Sequence, residues 1–426
     1  MGLRMYFKHK LNNKTVLILI VFLALIVRCV YFYMTPLPLN PEGLLSFYPD
    51  ENVYYNNYLL IEQKGFFYAL LDEQSLWTAP LNPIYIYLLS GVTSQPILFI
   101  RIFNILVAAF SIVPIYKIAI KLFNHKVAVF SSLFMALYFP LIEIAPTLLT
   151  EPIYIFFILM ASYWSLLAIS QDGVKLYVYA GLFMALATLT RSTFLLAPFF
   201  LLLVMYLVFK SNRKIIRGLV VLLISFGVVV GPFILKNYIL FDRFAINNGS
   251  GAVLFLGSRA DTEGDEPPYR GKEYSTYEIT APYTHLQSEG DDRLKEVAIN
   301  NIRDHLFGYV YWDVKKIGRL LVGNNHYWYF PFNNIVDYYH NLGFGKSALR
   351  LLNMLGVIII VVLGLYEMLV RNIKQVLVNP VTLIFIYHTL IYLPFLVNHR
   401  YGLPLVCLLS MFCGMFFFRE KVGSSS

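Results

Sequence analysis

Long apolar runs separated by short charged turns dominate the chain. The first run, 15–34, reaches the roughly 20 apolar residues needed to cross a bilayer and holds a single charge, Arg28. Arg4, Lys8, Lys10 and Lys14 precede it, which places that end of the chain in the cytoplasm by the positive-inside rule. The run is too long for a signal-peptide core and no small-residue cleavage site follows, so it reads as a retained helix.

Past this run the pattern changes. Residues 35–96 form a first outer loop carrying Asp50, Glu51, Glu62, Asp72 and Glu73, and its last part, Trp77 to Leu89, is apolar and rich in Tyr but too short to span. A helix lying in the membrane interface is expected there. Were it to span instead, Lys117, Lys121 and Lys126 would fall outside. On this register the later spans are 97–120, 127–142, 152–170, 176–190, 194–209, 219–235, 349–370, 381–397 and 403–418. Lys175, Lys210, Arg213, Lys214, Arg217, Arg371, Lys374, Arg419 and Lys421 then all lie inside. Of the acidic residues only Asp172, Glu367 and Glu420 fail to fall on the outer side. The expectation is an all-α polytopic membrane protein of about ten transmembrane helices, with interfacial helices on its outer face.

Composition agrees with this class. Hydrophobic residues make up 58%, aromatics 17% and charged residues 14%, with a mean hydropathy of +0.62, which excludes an ordinary soluble domain. The net charge of +9 is dispersed over short turns without a continuous basic face, so it reports topology and no nucleic acid is expected as a partner. Cys29, Cys407 and Cys413 all sit in apolar runs, which argues against a disulfide framework. The organisation expected is an N-terminal membrane module, 1–236, with outer loops 35–96 and 143–151, then an outer region, 237–346, and C-terminal spans, 347–422. Residues 423–426, Gly-Ser-Ser-Ser, read as an appended scar. Within the outer region, Leu294, Val297, Ala298, Ile302 and Leu306 show helical periodicity, while Tyr309-Val310-Tyr311-Trp312 and Trp328-Tyr329-Phe330 read as surface-seeking aromatics. Asn248-Gly249-Ser250 matches a glycosylation sequon, a common triplet.

Candidate chemistry gathers on the outer side. Asp50 and Glu51 are adjacent carboxylates, which cannot point the same way from a helix or strand, so one can act while the other orients it. A solvated turn or helix start is the plainer reading of the pair. Glu151 precedes Pro152 at a helix start, as a site carboxylate or as punctuation. Arg191, at an outer helix end, and Arg400, in Asn398-His399-Arg400-Tyr401, suit either an anion or the lipid headgroups. Two acids and two arginines converging on one face say more than any of them singly.

The order of these features resembles the GT-C membrane glycosyltransferases, in the branch of the lipid A aminoarabinose transferases and protein O-mannosyltransferases. The resemblance rests on Pro49-Asp50-Glu51-x-x-Tyr54, Gly65-Phe66, Pro80-Leu81-Asn82-Pro83-Ile84-Tyr85, Arg101-Ile102-Phe103-Asn104 and Leu148-Leu149-Thr150-Glu151-Pro152. It continues through Leu189-Thr190-Arg191, Lys236-Asn237-Tyr238, Phe241-Asp242-Arg243-Phe244 and Arg400-Tyr401-x-Leu403-Pro404. Glu151 stands where this branch often has Asp, and Lys236 where Arg is common. The resemblance implies inverting transfer of a sugar from a polyprenyl-phosphate carrier to a lipid, glycan or protein acceptor on the outer face of a bacterial-type plasma membrane. Asp50 is then the expected base, oriented by Glu51, with Glu151 positioning the acceptor or an optional divalent metal shared with Asp50. Arg191, Lys236, Arg243 and Arg400, with Tyr54 and His399 beside them, are the expected donor-phosphate residues. A polyprenyl-linked polysaccharide polymerase or ligase is the main alternative. A transporter is less favoured because Arg28 and Glu367 are the ionisable residues well inside spans.

Overall fold

A computed structural model of the chain describes residues 12–40, 43–44, 49–171, 173–209, 212–262, 277–322, 335–370 and 378–419. No strand occurs among them. The chain enters through α1 (Asn13–Met34) and then lays down α2 (Pro49–Lys64) and the short α3 (Leu81–Ser90). The first bundle continues with α4 (Pro96–Phe110), α5 (Ile112–Leu122), α6 (His125–Leu137), α7 (Glu151–Gln171), α8 (Val174–Thr190), α9 (Ala197–Phe209) and α10 (Arg213–Phe241). The outer segment contributes α11 (Ser250–Gly257), α12 (Ser288–Asp304) and α13 (Leu306–Val322). Last come α14 (Ile335–Val370), which bends at Gly343, α15 (Pro380–Tyr392) and α16 (Leu403–Phe417).

Among the described residues seven helical stretches are long and apolar enough to cross a membrane, and α6, α8 and α15 are shorter apolar helices. Together they coincide one for one with the expected spans. The chain is an integral membrane protein by this architecture. Three of the boundaries differ at prolines. The span expected over 97–120 breaks between α4 and α5 at Ser111, because Pro114 offers no N–H to Phe110 and its ring crowds that carbonyl. The span expected over 127–142 ends at Leu137 and resumes as a short helix over Phe139–Ile144, with Pro140 setting the break. The span over 381–397 is helical only to Tyr392, just before Pro394.

Packing follows from the apolar faces. Helix α8 lies between α7 and α10, and α14 packs on α16. Arg28, the charge inside α1, is 1% exposed. Its guanidinium donates to the carbonyls of Ala24 (3.1 Å), Ala136 (3.1 Å) and Met135 (3.0 Å). The last two are unpaired carbonyls at the C-terminal end of α6, so the arginine caps a short helix inside the bundle. Glu367 is likewise taken up, by Arg419 at 3.1 Å.

The outer segment forms a small cap in which Phe255, Leu294 and Ala298 are buried together, as the periodicity predicts for α12. It docks on the irregular stretch between α15 and α16. Tyr309 Oη donates to the Pro394 carbonyl (2.6 Å), Lys316 Nζ to the Leu393 carbonyl (3.0 Å), and Leu396 N to the Val253 carbonyl (2.8 Å). Contact is so close at Gly402 that a Cβ would stand 1.6 Å from the Leu320 carbonyl oxygen. The reading of Tyr309 and Trp312 as surface aromatics is corrected, since both are buried in this docking while Val310 and Tyr311 stay exposed. Residues 328–330 lie outside the described residues. The Asn248 side chain is buried and donates to the Leu286 carbonyl and the Ser288 hydroxyl, so the sequon is occupied by structure and does not present its amide to solvent.

Orientation is directly testable at two exposed positions, Ser94 before α4 and Gln171 at the end of α7. In a Cys29→Ser background, an impermeant thiol reagent is expected to label Ser94→Cys in intact cells and Gln171→Cys only after permeabilisation. The reverse pattern would invert the topology.

Candidate active site

Pro49 opens α2, and Asp50 and Glu51 fill its first turn, where the positive end of the helix dipole favours carboxylates. Consecutive helical residues point about 100° apart, so the two acids part company. Glu51 turns inward and is fully buried. Arg101 from α4 grips both of its oxygens, Nη1 to Oε1 and Nη2 to Oε2 at 3.1 Å each, and the backbone N–H of Leu148 donates to Oε1 at 2.6 Å. The remaining donors of Arg101 go to the carbonyls of Pro146 (2.7 Å) and Pro38 (3.0 Å from Nη2, 3.3 Å from Nε). All five guanidinium N–H groups are used. Glu51 is therefore a positioning residue, not an open carboxylate.

Asp50 faces the other way, and its side chain is 47% exposed. Arg400 Nη2 donates to Asp50 Oδ2. Arg400 Nε lies 3.7 Å from Glu151 Oε1, and Arg191 Nη1 donates to that same oxygen at 2.8 Å. Asp50, Arg400, Glu151 and Arg191 thus form one alternating chain of charge. Each member sits at a helix end. Glu151 begins α7, Arg191 follows the last residue of α8, and Arg400 lies in a 3-10 turn, His399–Gly402, whose start is capped by the Asn398 side chain (Oδ1 accepting from Arg400 N, 3.2 Å).

Aromatic rings hold the arginines in place. The Arg191 guanidinium lies 4.4 Å from the Tyr401 ring centre and 5.6 Å from that of Tyr154. Tyr401 stacks on Tyr392 at 5.1 Å, and its carbonyl accepts from His388 Nε2 at 2.9 Å. Partial burial opposes ionisation of Asp50, but the Arg400 guanidinium, with Arg191 behind it, outweighs that and holds the carboxyl below its ordinary value. Burial, then the charges of Asp50 and Glu151, push the Tyr54 phenol well above its usual value, so it stays a hydrogen-bond donor at neutral pH. A cavity of about 540 Å³ opens beside the cluster and is lined by Tyr54, Thr150, Arg191 and Tyr401 together with Trp77 and Asn82.

The structure brings together Asp50, Glu151, Arg191, Arg400 and Tyr54, five of the residues expected from sequence. Two expected cations point elsewhere. Lys236 Nζ donates to the Leu70 carbonyl (3.0 Å) and Ser75 Oγ (3.1 Å), tying down the turn after α2, and Arg243 forms a two-pronged pair with Asp292 of α12 (2.6 Å each). His399 lies in the 3-10 turn, and its side chain is outside the described residues. Three contributors were not foreseen as site residues: Arg101, which sets α2, Tyr401, which backs Arg191, and Asn82, whose amide holds the Thr190 carbonyl at 3.0 Å. Each lies in a quoted sequence stretch, so the signal was their clustering beside charged positions.

The metal option was tested on the donor set. Among the described residues no group of three or more His, Cys, Asp or Glu side chains is arranged to hold an ion. Asp50 and Glu151 are already bridged by Arg400, whose guanidinium occupies the space a shared cation would need. Among the described residues the donor set does not fit a resident metal.

Residues 78–234 match the family model described as dolichyl-phosphate-mannose-protein mannosyltransferase. Over nearly the whole chain the architecture matches the oligosaccharyltransferase of Archaeoglobus fulgidus. The apo crystal structure aligns at a TM-score of 0.52 and 13% identity, covering 96% of this chain and 51% of that one. The chain has the GT-C fold. A second archaeal structure of this GT-C enzyme, tethered to an acceptor peptide with an NVT sequon, gives 0.51 at 10% identity over 95% and 49% of the two chains. A third, AglB with an inhibitory peptide and a dolichol-phosphate, gives 0.50 at 14% identity over 95% and 50%. This GT-C chain therefore spans about half the length of those proteins. No curated protein matches the sequence significantly.

The Glu51–Arg101 lock makes a stability prediction. Arg101→Met strands a buried carboxylate, and breaking a buried pair this way costs about 3–5 kcal/mol. Thermal unfolding in detergent should drop accordingly, and the double variant Arg101→Met/Glu51→Gln should recover part of the loss. No drop in the single variant would mean that the pair contributes nothing net.

Proposed function

We propose that this protein is an inverting glycosyltransferase that moves a sugar from a polyprenyl-phosphate carrier to an acceptor hydroxyl on the outer face of the membrane. The observation that carries the reading is the Asp50–Arg400–Glu151–Arg191 chain, a half-open carboxylate and two guanidinium groups joined in one cluster, of which Arg191 lines the cavity together with Tyr54 and Tyr401. The family match over residues 78–234 and a GT-C neighbour bound to dolichol-phosphate support a lipid-phosphate substrate.

The acceptor hydroxyl gives its proton to Asp50 as its oxygen bonds to the anomeric carbon. The bond from that carbon to the phosphate oxygen breaks on the opposite face, which inverts the centre, and both of its electrons leave with the polyprenyl phosphate. The phosphate gains a second negative charge in this step, while the proton neutralises Asp50. Arg400 is thereby freed for the leaving group when its charge is largest, with Arg191 beside it. Glu151 keeps Arg191 aimed. In the resting protein Arg400 is shared with Asp50, which keeps the base weak. A donor phosphate that draws Arg400 away raises the basicity of Asp50, so the base is switched on by the substrate it serves.

Asp50→Asn is expected to abolish transfer while leaving carrier binding intact. Arg400→Ala should weaken use of the donor by about 2–5 kcal/mol, and Arg400→Lys should restore only part, because the fork that holds two phosphate oxygens is lost. Mass spectrometry of lipid-linked sugars and acceptors, in cells with and without the protein, tests the reading itself. An unchanged pool of carrier-linked sugars would refute it, and Asp50→Asn turning over normally would remove Asp50 as base.

The pH dependence has a defined sign. Arg400 holds Asp50 below the ordinary aspartate value of about 3.9, so the base is ionised at neutral pH. The kcat/KM for transfer, which reports the free protein, should stay flat as pH falls from 7 and fail only below that value. With Arg400→Ala, burial is left to act on Asp50 and the acid limb of kcat/KM should move to higher pH. An unmoved limb would show that another group titrates.

A further inference from the structure

The end of the bundle opposite the charged chain carries a groove that the proposed transfer does not use. Helix α7 runs from Glu151, in the cluster, to Gln171. At 1.5 Å per residue its far end lies about 30 Å away, one hydrocarbon thickness. There α1, α5 and α7 splay apart around a cavity of about 450 Å³, lined by Lys14, Lys117, Lys121, Tyr116, Tyr163 and Gln171 among others. Three lysines line it, and among the described residues no acidic residue does and none of the three lysines is in an ion pair. The walls are organised. Tyr116 is 3% exposed, with its hydroxyl donating to the Asn13 carbonyl at 3.1 Å, and Lys117 Nζ lies 5.4 Å from the Tyr163 ring centre.

Lysines scattered around a membrane protein simply reach the headgroup layer with their stems on apolar surface. Here three are gathered on adjoining transmembrane helices at one end of the bundle, where an anionic surface attracts basic residues. The cavity continues into apolar wall at Leu17, Ile120 and Leu167, which suits acyl chains below a phosphate. We propose that this groove holds the headgroup of an anionic phospholipid from the leaflet opposite the charged chain, with Lys117 and Lys121 on its phosphate and Lys14 at the rim.

Purified protein in detergent can be titrated with dioleoyl phosphatidylglycerol, dioleoyl phosphatidylcholine or inorganic phosphate, with bound lipid counted by native mass spectrometry and stability followed by thermal unfolding. The expected result is retention of one phosphatidylglycerol at concentrations where phosphatidylcholine is lost, with an upward shift in Tm. Lys117→Gln/Lys121→Gln should weaken retention at least tenfold, and Lys117→Arg/Lys121→Arg should keep it. These side chains are exposed, so the lipid-free Tm should not change and a folding defect would be visible as such. Equal retention of the two lipids, full retention by the glutamine variant, or an equal Tm shift with inorganic phosphate would each overturn the assignment. A failure of the transfer reaction has no bearing on these outcomes.

Discussion

Taking two charges fully out of water costs several kcal/mol for each ion, and the Glu51–Arg101 pair offsets that cost with complete hydrogen bonding. Both carboxylate oxygens are bound, one of them twice, and every guanidinium N–H has an acceptor. The acceptors of Arg101 come from separate parts of the chain, Pro38 after α1, Glu51 in α2 and Pro146 before α7, and Leu148 beside the last donates its N–H to Glu51. One guanidinium therefore fixes the relative placement of three loop segments. Asp50 inherits its direction from this lock, since its neighbour is anchored and the helix geometry leaves it facing outward. Glu151 inherits its position too, because it begins α7 three residues beyond Leu148.

Much of the fold was legible because a bilayer imposes simple rules. Spans need length, and turns need charge of the right sign. Ten apolar segments could be read from run length and lysine placement alone, and α3 could be recognised as non-spanning because the alternative would have put three lysines on the wrong side. Boundaries were less legible where Pro114, Pro140 and Pro394 interrupt apolar runs without changing their hydropathy. Hydropathy counts side chains, whereas these breaks follow from a missing backbone donor.

The candidate site was legible in part, for a related reason. Charged residues at helix ends on one face could be recognised as a group, and Asp50, Glu151, Arg191 and Arg400 do meet. Their pairings could not be read, because these depend on tertiary contacts up to 350 residues apart in the chain. Lys236 and Arg243 carry the same charge and lie on the same side, yet the Leu70 carbonyl and Asp292 engage them first. Tyr309 and Trp312 were misread because aromatics that seek a membrane interface and aromatics that seal a docking surface have the same composition. Only the cap, which arrives from elsewhere in the sequence, separates the two.

The four charges of the cluster constrain the chemistry as a set. Two carboxylates and two guanidinium groups leave it neutral, so it can persist at the membrane surface without a counterion. In the proposed reaction a phosphodiester donor would add one negative charge and strain the set in one place, since Arg400 cannot serve Asp50 and the phosphate equally. Movement of the acceptor proton onto Asp50 would then resolve that competition and leave the total charge unchanged through the step. A low-dielectric environment favours such a reaction, because charge is redistributed over a few ångströms among groups already in place and no new charge has to be solvated. The cap contributes to this economy. Its docking on residues 393–402, with Gly402 pressed against the Leu320 carbonyl, holds the turn bearing Arg400.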